Sequence, residues 1–308
     1  MEFRQASRKS AKPLVGLYGE SGTGKTYSAL LLARGFVGPA GTIGMIETES
    51  GRGEAYADLI PGSYYVLPIR EPFSPQVYGE AIALAEQMEL DALIIDSASH
   101  EWEGAGGVLS MAAANQAKGV KGVLVWQQPK IAHQTNFMLR LMQTPISLVI
   151  VCMRAKYPME QSKKPSGEAE WTRSQRLEPK QSEDILYEIF CHGWIDHSHA
   201  FHATKYTRPD LANVIIDGEA ITLETGARLA AWASGETIAK PAGQQIPSAE
   251  DYIAKWDHII AAATRGADLH PWNAEKAIRN QILWANPEQR EALTNRVARA
   301  AKDLETSA

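Results

Sequence analysis

The chain has 308 residues, 44% hydrophobic and 22% charged, with a formal net charge of −5. This is ordinary globular composition, and the acidic balance argues against a generally basic nucleic-acid binder while leaving room for a local basic groove. Cys152 and Cys191 are the only cysteines, so no disulfide framework or zinc module is expected; residues 1–12 are basic and polar without a signal-type apolar core, and no apolar run reaches the roughly 18 residues of a membrane span, which predicts a cytoplasmic protein without membrane contact.

Leu14–Tyr18 is an apolar run that predicts a first strand, and Tyr27–Phe36 predicts its following helix. Thr42–Glu47 and Tyr64–Ile69 predict the next two strands, followed by a helix over Pro75–Met88. Ala92–Asp96 reads as a buried parallel strand ending in a carboxylate. Ile131–Met142 reads as helix and Ile146–Met153 as another fully apolar strand. Strands alternating with helices imply an α/β core with a mainly parallel central sheet flanked by helices.

Lys156–Lys180 is polar, rich in Lys, Glu and Ser, and without apolar periodicity; the expectation is a long structureless loop, which is usually functional or disordered. Ile185–Asp196 and His199–Thr207 read as two β segments, with antiparallel pairing the expectation, and Asp217-Gly218 as a hairpin turn. The expected divisions are a basic N-terminal extension (1–12), a nucleotide-binding core (13–233), a linker (234–248) and a helical C-terminal segment (249–308). Within that last segment the candidate helices are Tyr252–Thr264, Trp272–Trp284 and Pro287–Glu305, with Trp256, Trp272 and Trp284 as core anchors.

Between the first strand and its helix lies Gly19-Glu20-Ser21-Gly22-Thr23-Gly24-Lys25-Thr26, a complete P-loop in strand–loop–helix context. Its glycines let backbone N–H groups wrap a phosphate at a helix N-terminus. Gly19 to Thr26, with Tyr27, are therefore the expected nucleotide-binding residues, with ATP and Mg²⁺ as the cofactors. Lys25 is expected to reach the β- and γ-phosphates, the Thr26 hydroxyl to ligate Mg²⁺, and Asp96 to hold the same ion at the end of its strand. Glu47 and Glu49 end the second strand, where such sheets line their ligand crevice, so a carboxylate there can polarise an attacking water. Glu101, close behind Asp96, is the rival catalytic carboxylate.

The segment Met45-Ile46-Glu47-Thr48-Glu49-Ser50 resembles the second-strand motif of RecA-type recombinases, with Glu47 where that family usually has Asp. Gly53-Glu54-Ala55-Tyr56-Ala57 and Ile94-Ile95-Asp96-Ser97 resemble the family's next helix and Walker B strand. The resemblance spans about residues 14–230 and implies a RecA-like P-loop core with Glu49 as the catalytic glutamate. Met153-Arg154-Ala155-Lys156 occupies the place of the family's γ-phosphate sensor, usually Gln, so Arg154 is the expected substitute by charge. Lys205 and Arg208 resemble the fingers that such ATPases insert into a neighbour's site, which implies a homo-oligomeric ring or filament. The compact core looks most like phage-encoded RecA-core ATPases of single-strand annealing modules. That implies single-stranded DNA, a recombination or single-strand-binding protein partner, and a bacterial host cytoplasm.

The family's mobile DNA-binding loop follows the sensor strand. Here that place holds Lys156, Lys163, Lys164, Trp171, Arg173, Arg176 and Lys180, diluted by Glu160, Glu168, Glu170 and Glu178. Basic residues track phosphates and an aromatic can stack on a base. Trp126–His133, with Lys130, is a second candidate surface. His192, His197, His199 and His202 crowd near Cys191, but their spacing matches no standard zinc module. A helicase- or packaging-type motor, a small-molecule kinase and an ATP-ordered scaffold are the alternative functions.

Overall fold

The computed structural model describes residues 5, 7, 8, 11–49, 51–163, 169–174, 176–239, 249–264, 269, 272, 279, 283 and 287–306. Backbone contacts divide the chain into two compact units, 1–239 and 240–308.

The first unit is built on a mixed, mostly parallel sheet. Its strands are β1 (Leu14–Gly19), β2 (Ile43–Glu47), β3 (Tyr65–Pro68), β4 (Ala92–Asp96), β5 (Leu148–Lys156), β9 (Cys191–Ile195), β10 (Ala200–Tyr206) and β11 (Glu219–Ala220). They lie in the order β11-β10-β9-β1-β5-β4-β2-β3. From β3 across to β9 every neighbouring pair in this order is parallel, and β10 runs against its neighbours β9 and β11.

Alternation along the strands explains why the sheet is covered on both faces. Val15, Leu17, Ile94 and Ile150 pack into one apolar cluster with Leu30 and Leu32 of helix α1 (Lys25–Val37) and Leu229 and Trp232 of the C-terminal helix of this unit. Their neighbours Leu14, Tyr18, Leu93, Ile95, Val149 and Val151 face the other way. They meet Tyr78 and Ile82 of α2 (Pro75–Gln87), and Phe137 and Leu141 of a later helical run. α2 starts where expected, with the Ser74 hydroxyl accepting from the Val77 N–H and Pro75 in the first turn.

Several elements depart from the sequence expectation. α3 (Ser99–Glu103) and α4 (Val108–Ala117) precede a helical run that begins at Leu124, ahead of Ile131. That run is α5 (Leu124–Ala132), a π-helical turn over His133–Met138, and α6 (Leu139–Gln143). The polar stretch after β5 is not structureless. β6 (Met159–Lys163) and β7 (Ala169–Arg173) form an antiparallel ribbon, and β8 (Glu178–Pro179) returns antiparallel to the end of β5. Among the described residues the ribbon pairs only with itself, and it is mainly polar apart from Met159, Ala169 and Trp171, so it shows no run of apolar alternation.

The expected strand over Ile185–Asp196 begins instead as helix α7 (Glu183–Glu188), and β9 forms only from Cys191. Glu183 and Asp184 in its first turn favour helix, and Ile185 and Ile189, four residues apart, are both buried. Asp217-Gly218 makes a turn with Gly218 at φ +82°, but not a hairpin. The chain ahead of it is a 3₁₀ turn over Pro209–Asn213, and β11 after it pairs with β10.

Helix α8 (Leu223–Ala233) closes the unit, started by a capping box between Thr222 and Thr225. It crosses α1 at a point where both helices carry glycine. A Cβ on Gly226 would strike the Leu32 carbonyl oxygen and lie 2.7 Å from the Gly35 Cα and the Phe36 nitrogen.

In the second unit the structure describes α9 (Ala249–Ala262) and α10 (Pro287–Thr306). Tyr252, Trp256, Trp272, Leu283, Leu293 and Val297 form its buried cluster, with Trp256 edge-on to Trp272 at 4.8 Å. Most of the expected Trp272–Trp284 helix, Trp284 itself and most of the 234–248 linker lie outside the described residues.

The obstacles at Gly226 are all backbone, so they cannot move aside cheaply. Gly226→Ala is expected to destabilise the protein by about 1–3 kcal/mol, read as a lower urea midpoint. An unchanged midpoint would show that α1 and α8 can separate without cost.

Candidate functional site

The sheet places the C-terminal ends of β1, β5, β4 and β2 side by side, and one cavity of about 1060 Å³ opens over them. Its lining includes Gly19 to Gly22, Gly24 to Ser28, Glu49, Arg52, Asp96, Arg154, Lys180 and His199. The ligand crevice of an open α/β sheet is expected at such strand ends.

The P-loop turns from β1 into α1 with Gly22 at φ +84° and Gly24 at φ +90°, a region open to glycine at no steric cost. α1 has no side-chain cap hydrogen bond at Gly24 and no acidic residue in its first turn. Its first N–H groups therefore lack an internal partner and face the cavity as an anion site. Lys25 Nζ donates to the carbonyls of Gly19 (3.1 Å) and Glu20 (2.7 Å), folded back on the loop. Tyr27 stacks on Tyr56 at 5.8 Å, and both line the cavity with Leu31, Leu59 and Ile221.

Across the cavity floor the Thr26 hydroxyl donates to Asp96 Oδ2 at 2.6 Å. Asp96 is buried, and its pKa is pushed up to about 6. Burial is the main cause; the Thr26 hydrogen bond opposes it, the Glu49 charge adds to it, Lys25 opposes it and Glu47 adds to it. A hydroxyl and a carboxylate held together in this way are hard oxygen donors of the kind Mg²⁺ takes, so the residues present fit that ion.

Glu47 and Glu49 have separate jobs. The buried Glu47 carboxylate accepts from the N–H groups of Glu49 (2.6 Å) and Gly51 (3.1 Å), fixing the turn after β2. Glu49 lines the cavity, where Arg154 donates to Oε1 through Nε (3.1 Å) and Nη2 (3.0 Å), and Arg52 donates to Oε2 (2.8 Å). Burial tends to raise the Glu49 pKa, but hydrogen bonds and charge from Arg154, with Arg52 and His100, hold it below the usual carboxylate value.

Thr48 ties the ends of β2 and β4 together. Its N–H donates to the Asp96 carbonyl (2.9 Å), its hydroxyl oxygen accepts from the Ser97 N–H (2.9 Å), and it shares a 2.7 Å hydrogen bond with His100 Nδ1. Burial and the charge of Arg154 lower the His100 pKa, which favours the neutral ring. His199 packs on the P-loop from the β9–β10 turn, with Nδ1 2.9 Å from the Thr23 carbonyl. Sequence reasoning missed Arg52 and His199 as cavity residues and Thr48 as the tie behind them: His199 arrives by a chain crossing and Thr48 acts through strand register, whereas Arg52 sits three residues after Glu49 in a stretch with no helical or strand pattern to orient it.

The structure does not bring every expected residue there. Glu101 is fully buried and does not line the cavity. It accepts from His133 Nδ1 (3.0 Å) and lies 3.3 Å from Gln181 Nε2, while His133 Nε2 meets Ser182 Oγ at 2.9 Å. That commits Glu101 to a core network and removes it as the water-activating carboxylate of this cavity. The same network buries His133, so it is no part of an exposed Trp126–His133 surface, where Trp126 and Lys130 remain exposed.

Lys205 donates to the Leu186 and Tyr187 carbonyls at the end of α7 (2.8 and 2.7 Å), and burial lowers its pKa against the opposing charge of Glu188. Arg208 pairs with Asp210 at 2.9 Å, a bond that raises its pKa. Neither lines the cavity of its own chain.

Along the ribbon and its flanks, Lys156, Trp171, Arg173 and Arg176 are exposed. Arg173 lies 4.6 Å over the Tyr157 ring. Lys180 returns to the cavity rim and pairs with Glu103 at 3.1 Å. Lys164 lies outside the described residues, as does the side chain of Lys163. The crowded histidines have separate partners: His202 bonds Asp196 at 2.7 Å and His197 lies 3.3 Å from Glu20, while His192 is buried. Among the described residues no helix is long and apolar enough to cross a membrane. The chain matches no protein-family model and no curated protein.

The raised pKa of Asp96 sets a stability test. A group whose pKa rises on folding stabilises the fold fully below its unfolded value of 3.8 and loses that contribution as pH climbs through about 6. The rise is worth about 3 kcal/mol at most. Nucleotide-free Asp96→Asn protein is therefore expected to be the more stable of the two at pH 8, by up to that amount. The gap should close as the pH falls toward 4, followed by urea denaturation across the range. A gap independent of pH would refute the assignment.

Proposed function

We propose that this chain is a RecA-type, Mg²⁺-dependent ATPase that acts on single-stranded DNA in phage-type recombination or annealing. The observation that carries the reading is the convergence of Lys25, Thr26 on Asp96, and Glu49 in one cavity over the parallel strand ends.

In this reading the P-loop N–H groups and the α1 N-terminus hold the phosphates of ATP. Lys25 leaves the Gly19 and Glu20 carbonyls to reach the β- and γ-phosphates. Thr26 and Asp96 would hold Mg²⁺, which when bound screens the phosphate charge. Glu49 accepts a proton from a water whose oxygen bonds to the γ-phosphorus; the bond from that phosphorus to the β–γ bridging oxygen breaks, giving ADP and phosphate. Arg154 contributes positive charge at the terminal phosphate.

The ribbon is the proposed DNA contact. It springs from the strand that ends in Arg154 to Lys156 and returns at Lys180, so its two roots flank the nucleotide cavity. Exposed Trp171 offers a stacking face worth about 1–3 kcal/mol per base, and Lys156, Arg173 and Arg176 offer charge to the backbone. Assembly into a ring or filament belongs to the same reading, with Arg208 the more available finger. Asp210 also accepts from Arg8 and Trp232, so it stays paired if Arg208 leaves.

Steady-state ATP turnover with and without single-stranded DNA at low salt tests this reading. Lys25→Ala is expected to abolish turnover, Glu49→Gln to lower kcat about a hundredfold or more, and DNA to accelerate the parent protein but a Trp171→Ala variant less. Parent-like turnover by the first two variants would overturn the ATPase assignment. A parent protein indifferent to DNA would overturn the recombination assignment.

A further inference from the structure

We propose that Arg154 is a latch on Glu49, holding the carboxylate in the nucleotide-free protein and passing to the terminal phosphate when a triphosphate binds. This rests on the ATPase reading above and adds a regulation of the same site.

The Glu49 carboxylate is heavily engaged. Oε1 accepts two N–H groups from Arg154 and Oε2 accepts one from Arg52. Those three bonds occupy most of the roughly four acceptor positions of a carboxylate. They also favour its charged form, which makes it a weaker base toward water. A Glu49 bonded in this way has little capacity left to orient an attacking water.

The latch is built to move at its head and not at its root. Arg154 pairs in register with Gly19, the first P-loop residue. Its N–H donates to the Ser99 hydroxyl at 2.9 Å, and its carbonyl accepts from the Lys180 N–H at 2.7 Å. The guanidinium itself lines the cavity and its side chain is 44% exposed. Both guanidinium N–H groups crowd onto the one oxygen Oε1 of Glu49, whereas a terminal phosphate offers separate oxygens for a fork-to-fork pair and more negative charge. The Glu49–Arg154 pair is thus the one a γ-phosphate can outcompete. ADP, ending one phosphoryl group short, would leave it closed.

A latch also makes a thermodynamic demand. If triphosphate must break the Glu49–Arg154 pair, then Glu49 opposes triphosphate binding through Arg154, and the two residues are coupled. Simple repulsion between Glu49 and the phosphates would act whether or not Arg154 is present. The two explanations therefore separate in a double-mutant cycle.

The experiment measures affinity for Mg²⁺ with AMP-PNP and for Mg²⁺ with ADP, by titration calorimetry. The proteins are the full chain, Glu49→Gln, Arg154→Gln and the double variant. The latch predicts that Glu49→Gln tightens AMP-PNP relative to ADP by at least about fivefold, and that this gain vanishes in the Arg154→Gln background. Unchanged ADP affinity across the four proteins serves as the check that the site remains folded. An equal gain in both backgrounds, or no gain in either, overturns the latch and leaves the ATPase reading standing. A parent protein that binds neither nucleotide overturns the ATPase reading and the latch with it.

Discussion

Burial of the central strands on both faces is the constraint from which the site follows. β1, β2 and β4 are buried along their whole length, as is β5 through Met153. No polar group is affordable within those strands unless it is paired. The chemistry is therefore displaced to where the strands end, and because they are parallel they end on the same side. Lys25, Arg154, Asp96 and Glu49 come from four different stretches of chain, yet strand order alone makes them neighbours. Parallel pairing of Glu47 with Asp96 and of Gly19 with Arg154 fixes the spacing to within a residue.

The same burial creates an electrostatic tension at the cavity floor. Asp96 sits buried beside the acidic residues Glu47 and Glu49, with the Thr26 hydroxyl and the Lys25 charge as its counterweights. Lys25 is meanwhile turned toward P-loop carbonyls. Positive and negative groups at this cavity are thus each satisfied by a local substitute. Under the proposed ATPase reading, a magnesium–triphosphate complex would replace both of these substitutes, with the cation at Asp96 and the anion at Lys25 and the α1 N-terminus. Glu47, by contrast, is satisfied within its own turn and needs no ligand.

Local features of the site were legible in the sequence and distant ones were not. The P-loop reads directly because its glycines, lysine and threonine act within eight consecutive positions. Asp96 and Glu49 read from their places at strand ends. The Thr48 tie to Ser97 and His100, and the Arg154 bonds to Glu49 across 105 residues, depend on register that no local pattern encodes. Glu101 stood as the rival to Glu49 because sequence distance from Asp96 does not show which way a helix turns its side chains. The α/β class and the mainly parallel sheet followed from alternating apolar runs. The β6–β7 ribbon escaped because a ribbon with no core behind it leaves no apolar period, and α7 was hidden inside an apolar run that reads equally well as strand.

The fate of the terminal phosphate of ATP decides the proposed ATPase function. Phosphorus NMR of ATP and Mg²⁺ incubated with the full chain follows that atom directly. The account predicts inorganic phosphate and ADP appearing in equal amounts, and neither when Mg²⁺ is withheld. Unchanged ATP, or phosphorus appearing in any phosphorylated acceptor instead of free phosphate, would contradict it.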